Sequence, residues 1–103
     1  MVQAVNQAEF DELLKSGKVI VCDFWASWCG PCRMLAPVME AVSDQFPEAE
    51  FVKVNVDEND ELAARYGVMS IPFVAIFDGG NLKAKSIGYL PEEQMKEFLE
   101  LNL

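Results

Sequence analysis

The run Val19-Ile20-Val21-Cys22-Asp23-Phe24-Trp25 most constrains how this chain can fold. It is apolar on both alternating faces, and Asp23 is its only ionisable carboxyl. Such a strand is stable between two covering layers, so it predicts an interior strand of a sheet with helices above and below. Trp28-Cys29-Gly30-Pro31-Cys32 follows, and then Met34, Leu35, Val38, Met39, Val42 and Phe46 recur at helical spacing. A buried strand therefore hands over to an amphipathic helix, with two cysteines at the joint. Unpaired amide N–H groups and the helix dipole stabilise a negative sulfur there. The pair can close a small disulfide ring or act as a reactive dithiol, and thiolate is the nucleophile of disulfide exchange.

The remaining elements alternate in the same way. Phe10, Leu13 and Leu14 mark a short amphipathic helix ending at Gly17. The helix after Pro31 contains Pro37, where the missing N–H predicts a kink. Phe51 to Val56 reads as a second buried strand, and Asp57 to Tyr66 as a short helix closed by Gly67. Phe73 to Phe77 and Leu82 to Ile87 read as strands around Asp78-Gly79-Gly80-Asn81, a hairpin signal. Pro91 suits the first position of a final helix striped by Met95, Phe98 and Leu99, although no Ser, Thr or Asp cap precedes it. With no repeat, low-complexity segment or linker, residues 1–103 read as a single α/β domain with helices on both faces of one sheet.

Composition narrows the function. The chain is 51% hydrophobic, enough to build a core without a disulfide framework. Seventeen acidic and eight basic residues give a formal net charge of −9, which argues against nucleic acid and against an anionic membrane surface as partners. No apolar run approaches the ~20 residues of a membrane span, and Met1 to Asn6 show no signal-peptide pattern. Three cysteines, an odd number, fit a reducing, cytoplasmic setting. Zinc is disfavoured as well: a tetrahedral site needs four ligands and the chain has no histidine. Asp23 is the second informative residue. A carboxyl inside this strand is desolvated, which raises its pKa, and one titrating near neutrality can take a proton from a thiol and return it. Its alternative is a structural pairing with Lys53.

The block Asp23-Phe24-Trp25-Ala26-Ser27-Trp28-Cys29-Gly30-Pro31-Cys32, with Ile71-Pro72 and Gly88 further on, resembles the thioredoxin family over nearly the whole chain. The resemblance implies the thioredoxin fold, a central mixed five-stranded sheet with helices on both faces. It also implies a general protein disulfide reductase that binds no cofactor. Cys29 is then the attacking nucleophile and Cys32 the shielded resolving thiol. Gly30 and Pro31 fix the geometry and tuning of the pair. Asp23 is the proton acceptor behind Cys32, and Lys53 tempers its pKa, unless that lysine simply snorkels to the surface. Pro72 is expected to be cis, turning the Ile71 backbone toward an extended client. Periodicity alone would make the same dipeptide a loop with a trans bond.

Trp28, Gly30, Pro31, Ile71, Pro72 and Gly88 are expected to form an apolar collar for substrate, with Met69 and Tyr89 as possible flanks. Trp25 reads as a core or supporting residue, Cys22 as an unreactive buried thiol, and Arg33 as either a source of positive potential or a solvated side chain. Phe73 departs from the family's common threonine and puts the details of the groove in question. The implied partners are a thioredoxin reductase, an NADPH-dependent flavoprotein, and client proteins with disulfides, for a mostly monomeric chain. Three rival readings remain: an oxidase or isomerase on the same fold, a glutaredoxin, whose usual Cys-Pro-Tyr-Cys is absent, and a non-catalytic binding subunit of a larger assembly.

Overall fold

The computed structural model describes residues 1–103. The chain order is β1 (Gln3–Ala4), α1 (Gln7–Lys15), β2 (Ile20–Trp25), α2 (Gly30–Ser43), β3 (Glu50–Asn55), α3 (Asp60–Arg65), β4 (Phe73–Asp78), β5 (Asn81–Ile87) and α4 (Glu92–Asn102). The five strands form one mixed sheet in the order β1-β3-β2-β4-β5. β3 runs parallel to both β1 and β2, whereas β4 is antiparallel to β2 and β5. The apolar run identified in the sequence is the centre of this sheet.

Strand parity divides the core into two. Ile20, Cys22 and Phe24 of β2, Val52 and Val54 of β3, and Phe73, Ala75 and Phe77 of β4 join Phe10 of α1 and Leu62 of α3 on one face. The intervening residues Val21, Phe51, Val74 and Ile76 pack with Leu35, Met39 and Val42 of α2 and Met95 and Leu99 of α4 on the other. The first face is rich in aromatic edges: the Phe77 ring lies 5.2 Å from that of Phe10 and 4.9 Å from that of Tyr66, both edge-on. Burying each such ring contributes roughly 1.5–3 kcal/mol.

Local chemistry sets the boundaries. Asn6 caps α1 by accepting the Glu9 amide at 2.9 Å, while the Glu9 carboxylate accepts the Asn6 amide at 3.0 Å. This reciprocal box satisfies two orphan donors of the first turn. Gly79 and Gly80 both have positive φ, +61° and +86°, as a two-residue hairpin between β4 and β5 requires. A register shift opposite Ile76 and Phe77 and the exposed Lys83 and Lys85 mark β5 as a managed edge strand.

Several sequence expectations need adjustment. β1, only two residues long, carries no periodic signal and escaped the reading. The helix expected over Asp57 to Tyr66 begins only at Asp60, because Asn55 Oδ1 accepts the Asp57 amide at 2.9 Å and folds residues 55–57 into a turn. Pro91 is the N-cap of α4 rather than its first helical residue, and its backbone is extended. Pro37 lies inside α2, as expected, and is exposed.

Candidate active site

Cys29 and Cys32 are joined by a disulfide, with Cα atoms 5.2 Å apart. Cys29 is the N-cap of α2, and its sulfur accepts the Cys32 amide at 3.2 Å. Helix caps are usually oxygens of Ser, Thr, Asp or Asn; here a sulfur takes that place, at the positive end of the helix dipole. Pro31 lies in the first turn, where its missing N–H costs nothing and its fixed φ suits the helix. Both cysteines are buried in the bridged form and form a small cluster with Ala26, against which Trp25, Val56 and Ile71 pack.

The Ile71–Pro72 peptide bond is cis. It leads into β4, and the Ile71 carbonyl oxygen lies 3.8 Å from Cys29 Sγ. Pro72 is buried and Ile71 half-buried, so the proline supports the collar from beneath instead of facing solvent. Gly88 closes this side by donating its amide to the Pro72 carbonyl at 2.8 Å. Its φ of +98° demands glycine, while a Cβ there would meet open space. On the opposite side Trp28 is 67% exposed, and its indole Nε1 donates to Asp57 Oδ2 at 2.8 Å. Asp57 was not singled out in the sequence; its place in a turn straight after β3 was the available signal. Arg33 donates to the Ser27 carbonyl at 2.9 Å, tying the first turn of α2 to the loop before it.

Behind the pair, parity places Asp23 on the face covered by α2, with Lys53 of β3 and Val74 of β4 as its register partners. Asp23 is 3% exposed, and its Oδ1 has no hydrogen-bond partner. Burial pushes its carboxyl up to about 7, against the opposing pull of the Lys53 ammonium. Lys53 is half-buried, with Nζ 5.5 Å from the centre of the Trp25 ring. It also lines a surface cavity of about 320 Å³ together with Trp25, Asn55, Glu58 and Asn59. Lys53 thus combines proximity to the acid with an outlet to solvent. Neither cysteine lines that cavity.

This arrangement presents a bridged sulfur pair at a helix start, with Trp25, Val56 and Ile71 packed against it and exposed Trp28 next to it in the chain, and a buried acid pushed up to about 7 on the sheet face that α2 covers. The family model described as thioredoxin matches residues 1–101. A thioredoxin of Mycoplasmoides gallisepticum is 42% identical over 100 residues, covering 97% of this chain and 100% of that protein. One of Staphylococcus aureus is 44% identical over 100 residues, covering 96% and 95% respectively. Solved structures agree. Plasmodium falciparum thioredoxin superposes with a TM-score of 0.91 at 32% identity, covering 97% of this chain and 98% of the other. Fasciola hepatica thioredoxin gives 0.90 at 35%, covering 99% and 100%.

The chain belongs to the thioredoxin family. It is a thiol–disulfide oxidoreductase, a protein disulfide reductase whose redox-active pair is Cys29 and Cys32. Family membership also puts the other residues in context. Phe73 is buried on the α1/α3 face, edge-on to Phe24 at 5.8 Å. Its ring therefore belongs to the core against which Ile71 also packs. Cys22 is likewise on that dry face, where burial and the neighbouring Asp23 charge push its thiol well above the ordinary range.

Proposed function

We propose that the two sulfurs of this reductase have unequal roles. Cys29, as thiolate, attacks one sulfur of a client disulfide; that S–S bond breaks and the client's other sulfur leaves as a thiolate, which takes a proton from solvent. Cys32 then loses its proton to Asp23 and attacks the Cys29 sulfur. The mixed disulfide breaks, the second client sulfur leaves as a thiolate and takes back the proton held by Asp23, and the client has gained two electrons, one proton from Cys32 by way of Asp23 and one from solvent. The Cys29–Cys32 disulfide remains and is reduced by a partner, a thioredoxin reductase drawing on NADPH, in a reducing cytoplasmic setting. Trp28, Ile71 and Gly88 hold an extended client segment, with the Ile71 backbone offering strand-like pairing. Gly30, Pro31 and Pro72 fix the geometry of the pair, and Lys53 limits the rise in the Asp23 pKa. The chain works as one domain, mostly as a monomer.

The observation that carries this reading is the unpaired carboxyl of Asp23, buried under the helix that begins with the two sulfurs and titrating near 7. An acid there can both accept and return a proton at physiological pH. Trapping tests the order of attack. Cys32→Ser should accumulate mixed disulfides with client proteins, visible on non-reducing gels, and Cys29→Ser should not. Trapping by Cys29→Ser alone would reverse the assignment.

A further inference from the structure

The segments that frame the dithiol carry a lopsided charge. Residues 55–64, which include the turn that holds Trp28 and the start of α3, contain Asp57, Glu58, Asp60 and Glu61 and no lysine or arginine. Residues 88–94, which lead from the Gly88–Pro72 hydrogen bond into α4, contain Glu92 and Glu93 and again no cation. All six carboxylates are exposed. None is in an ion pair; the chain's four ion pairs use Asp44, Glu12, Glu50 and Asp11. Of the nearby cations, Arg33 donates to the Ser27 carbonyl, Arg65 pairs with Asp11, and Lys53 and Lys85 lie over the Trp25 and Phe73 rings; Lys96, three and four residues after Glu93 and Glu92 on α4, is in no ion pair.

Four of the six acids stand in first helical turns, where they complement the dipole. That local role, with Lys96 within a turn of Glu92 and Glu93, leaves a net negative field in solvent, six carboxylates against one such lysine. Between the two acidic segments lies an exposed apolar surface, including Trp28, Met69 at 94% exposure, Ile87 and Tyr89. An apolar centre bordered by one sign of charge recruits partners of the opposite sign and repels those of its own.

We propose that this end of the molecule selects client segments whose disulfide is flanked by lysine and arginine, and disfavours acidic ones. The proposal rests on the disulfide-reductase reading and names its substrate class. Charges several ångströms apart across solvent act mainly on encounter, so the preference belongs to the association step and is sensitive to salt.

The test compares two synthetic peptides with the same intrachain disulfide ring, one flanked by lysines and one by glutamates. Each rate with the reduced protein is normalised to that peptide's rate with dithiothreitol. At about 10 mM ionic strength the lysine peptide should react about tenfold faster, and the advantage should fade by 0.5 M salt. The combined variant Glu58→Gln/Asp60→Asn/Glu61→Gln/Glu92→Gln/Glu93→Gln should lose most of the advantage at low salt. A normalised ratio within twofold at low salt, a ratio indifferent to salt, or a ratio retained by the variant would overturn the proposal. Hydroxyethyl disulfide, small and uncharged, separates the two levels. If the wild-type protein reduces it while the peptide ratio is flat, charge selection fails alone; if it is not reduced, the reductase reading fails.

Discussion

Cys22 and Asp23 are neighbours in the same strand, equally enclosed, and chemically opposite. Cys22 points into the α1/α3 face, which is lined by phenylalanines, valines and isoleucine, and its thiol is held protonated. Asp23 points into the α2/α4 face, opposite Lys53, and burial pushes its carboxyl up to about 7. One step along a strand reverses the side chain's direction, and that reversal puts a thiol among apolar side chains and a carboxyl on the face that α2 covers. Burial alone therefore does not make a functional group. What differs is whether the covering helix brings a reactive partner and whether a compensating charge lies on the same face. The dry face supplies stability; the other carries a destabilising acid in its midst.

Substitutions on the two faces should therefore separate stability from activity. The largest effect is expected from Phe77→Ala on the dry face, which removes two edge-on aromatic contacts at a fully buried site. It should cost about 3–5 kcal/mol in chemical denaturation, while disulfide reduction by the folded fraction stays unchanged. Loss of activity per folded molecule would show that the faces are not independent.

Asp23→Asn should act in the opposite direction on stability. The folded protein holds this carboxyl near 7, above the ordinary value of about 3.9 in an unfolded chain. Between those values the unfolded state has already released its proton and the folded state has not. The wild-type protein therefore loses stability as pH rises from about 4 to about 7. The asparagine variant should be stabilised by up to about 4 kcal/mol at pH 8, with the gain vanishing near pH 4. Thermal melts across that range measure it, and a gain independent of pH would show that the acid titrates normally. The same variant should slow resolution of the mixed disulfide most near neutral pH; an unchanged pH–rate profile would remove the proton-transfer role.

The smallest effect is expected from Cys22→Ala, about 1 kcal/mol of stability, with an unaltered rate of insulin reduction. A slower rate would give the second face a part in the chemistry.

Much of this contrast was legible in the sequence, because a strand apolar on both faces with one acid in it already requires two layers and marks the exception. The assignment of Phe73 was not. Beside Ile71-Pro72 it looked like a groove residue, and only its register opposite Phe24 shows that it faces the other core. Contacts between distant loops were equally invisible. Trp28 and Asp57 are 29 residues apart, and nothing in the periodicity of either segment announces a bond between them. The helix start at Asp60 was hidden for a related reason: Asn55 accepts the Asp57 amide on its side chain and the Asn59 amide group on its carbonyl, and such side-chain turns leave no periodic signal. Short-range patterns reveal faces and periods. Long-range hydrogen bonds, which assemble the rim of the site, follow from how the strands are ordered.

One consequence lies in the sulfur cap of α2. The atom that exchanges electrons with clients is also the acceptor for the Cys32 amide. A thiolate is a stronger acceptor than a bridged sulfur, so each turnover rewrites the hydrogen bond that opens the helix. The Cys32 backbone N–H is thus a resident gauge of oxidation state, readable from its amide chemical shift without any label on the sulfurs.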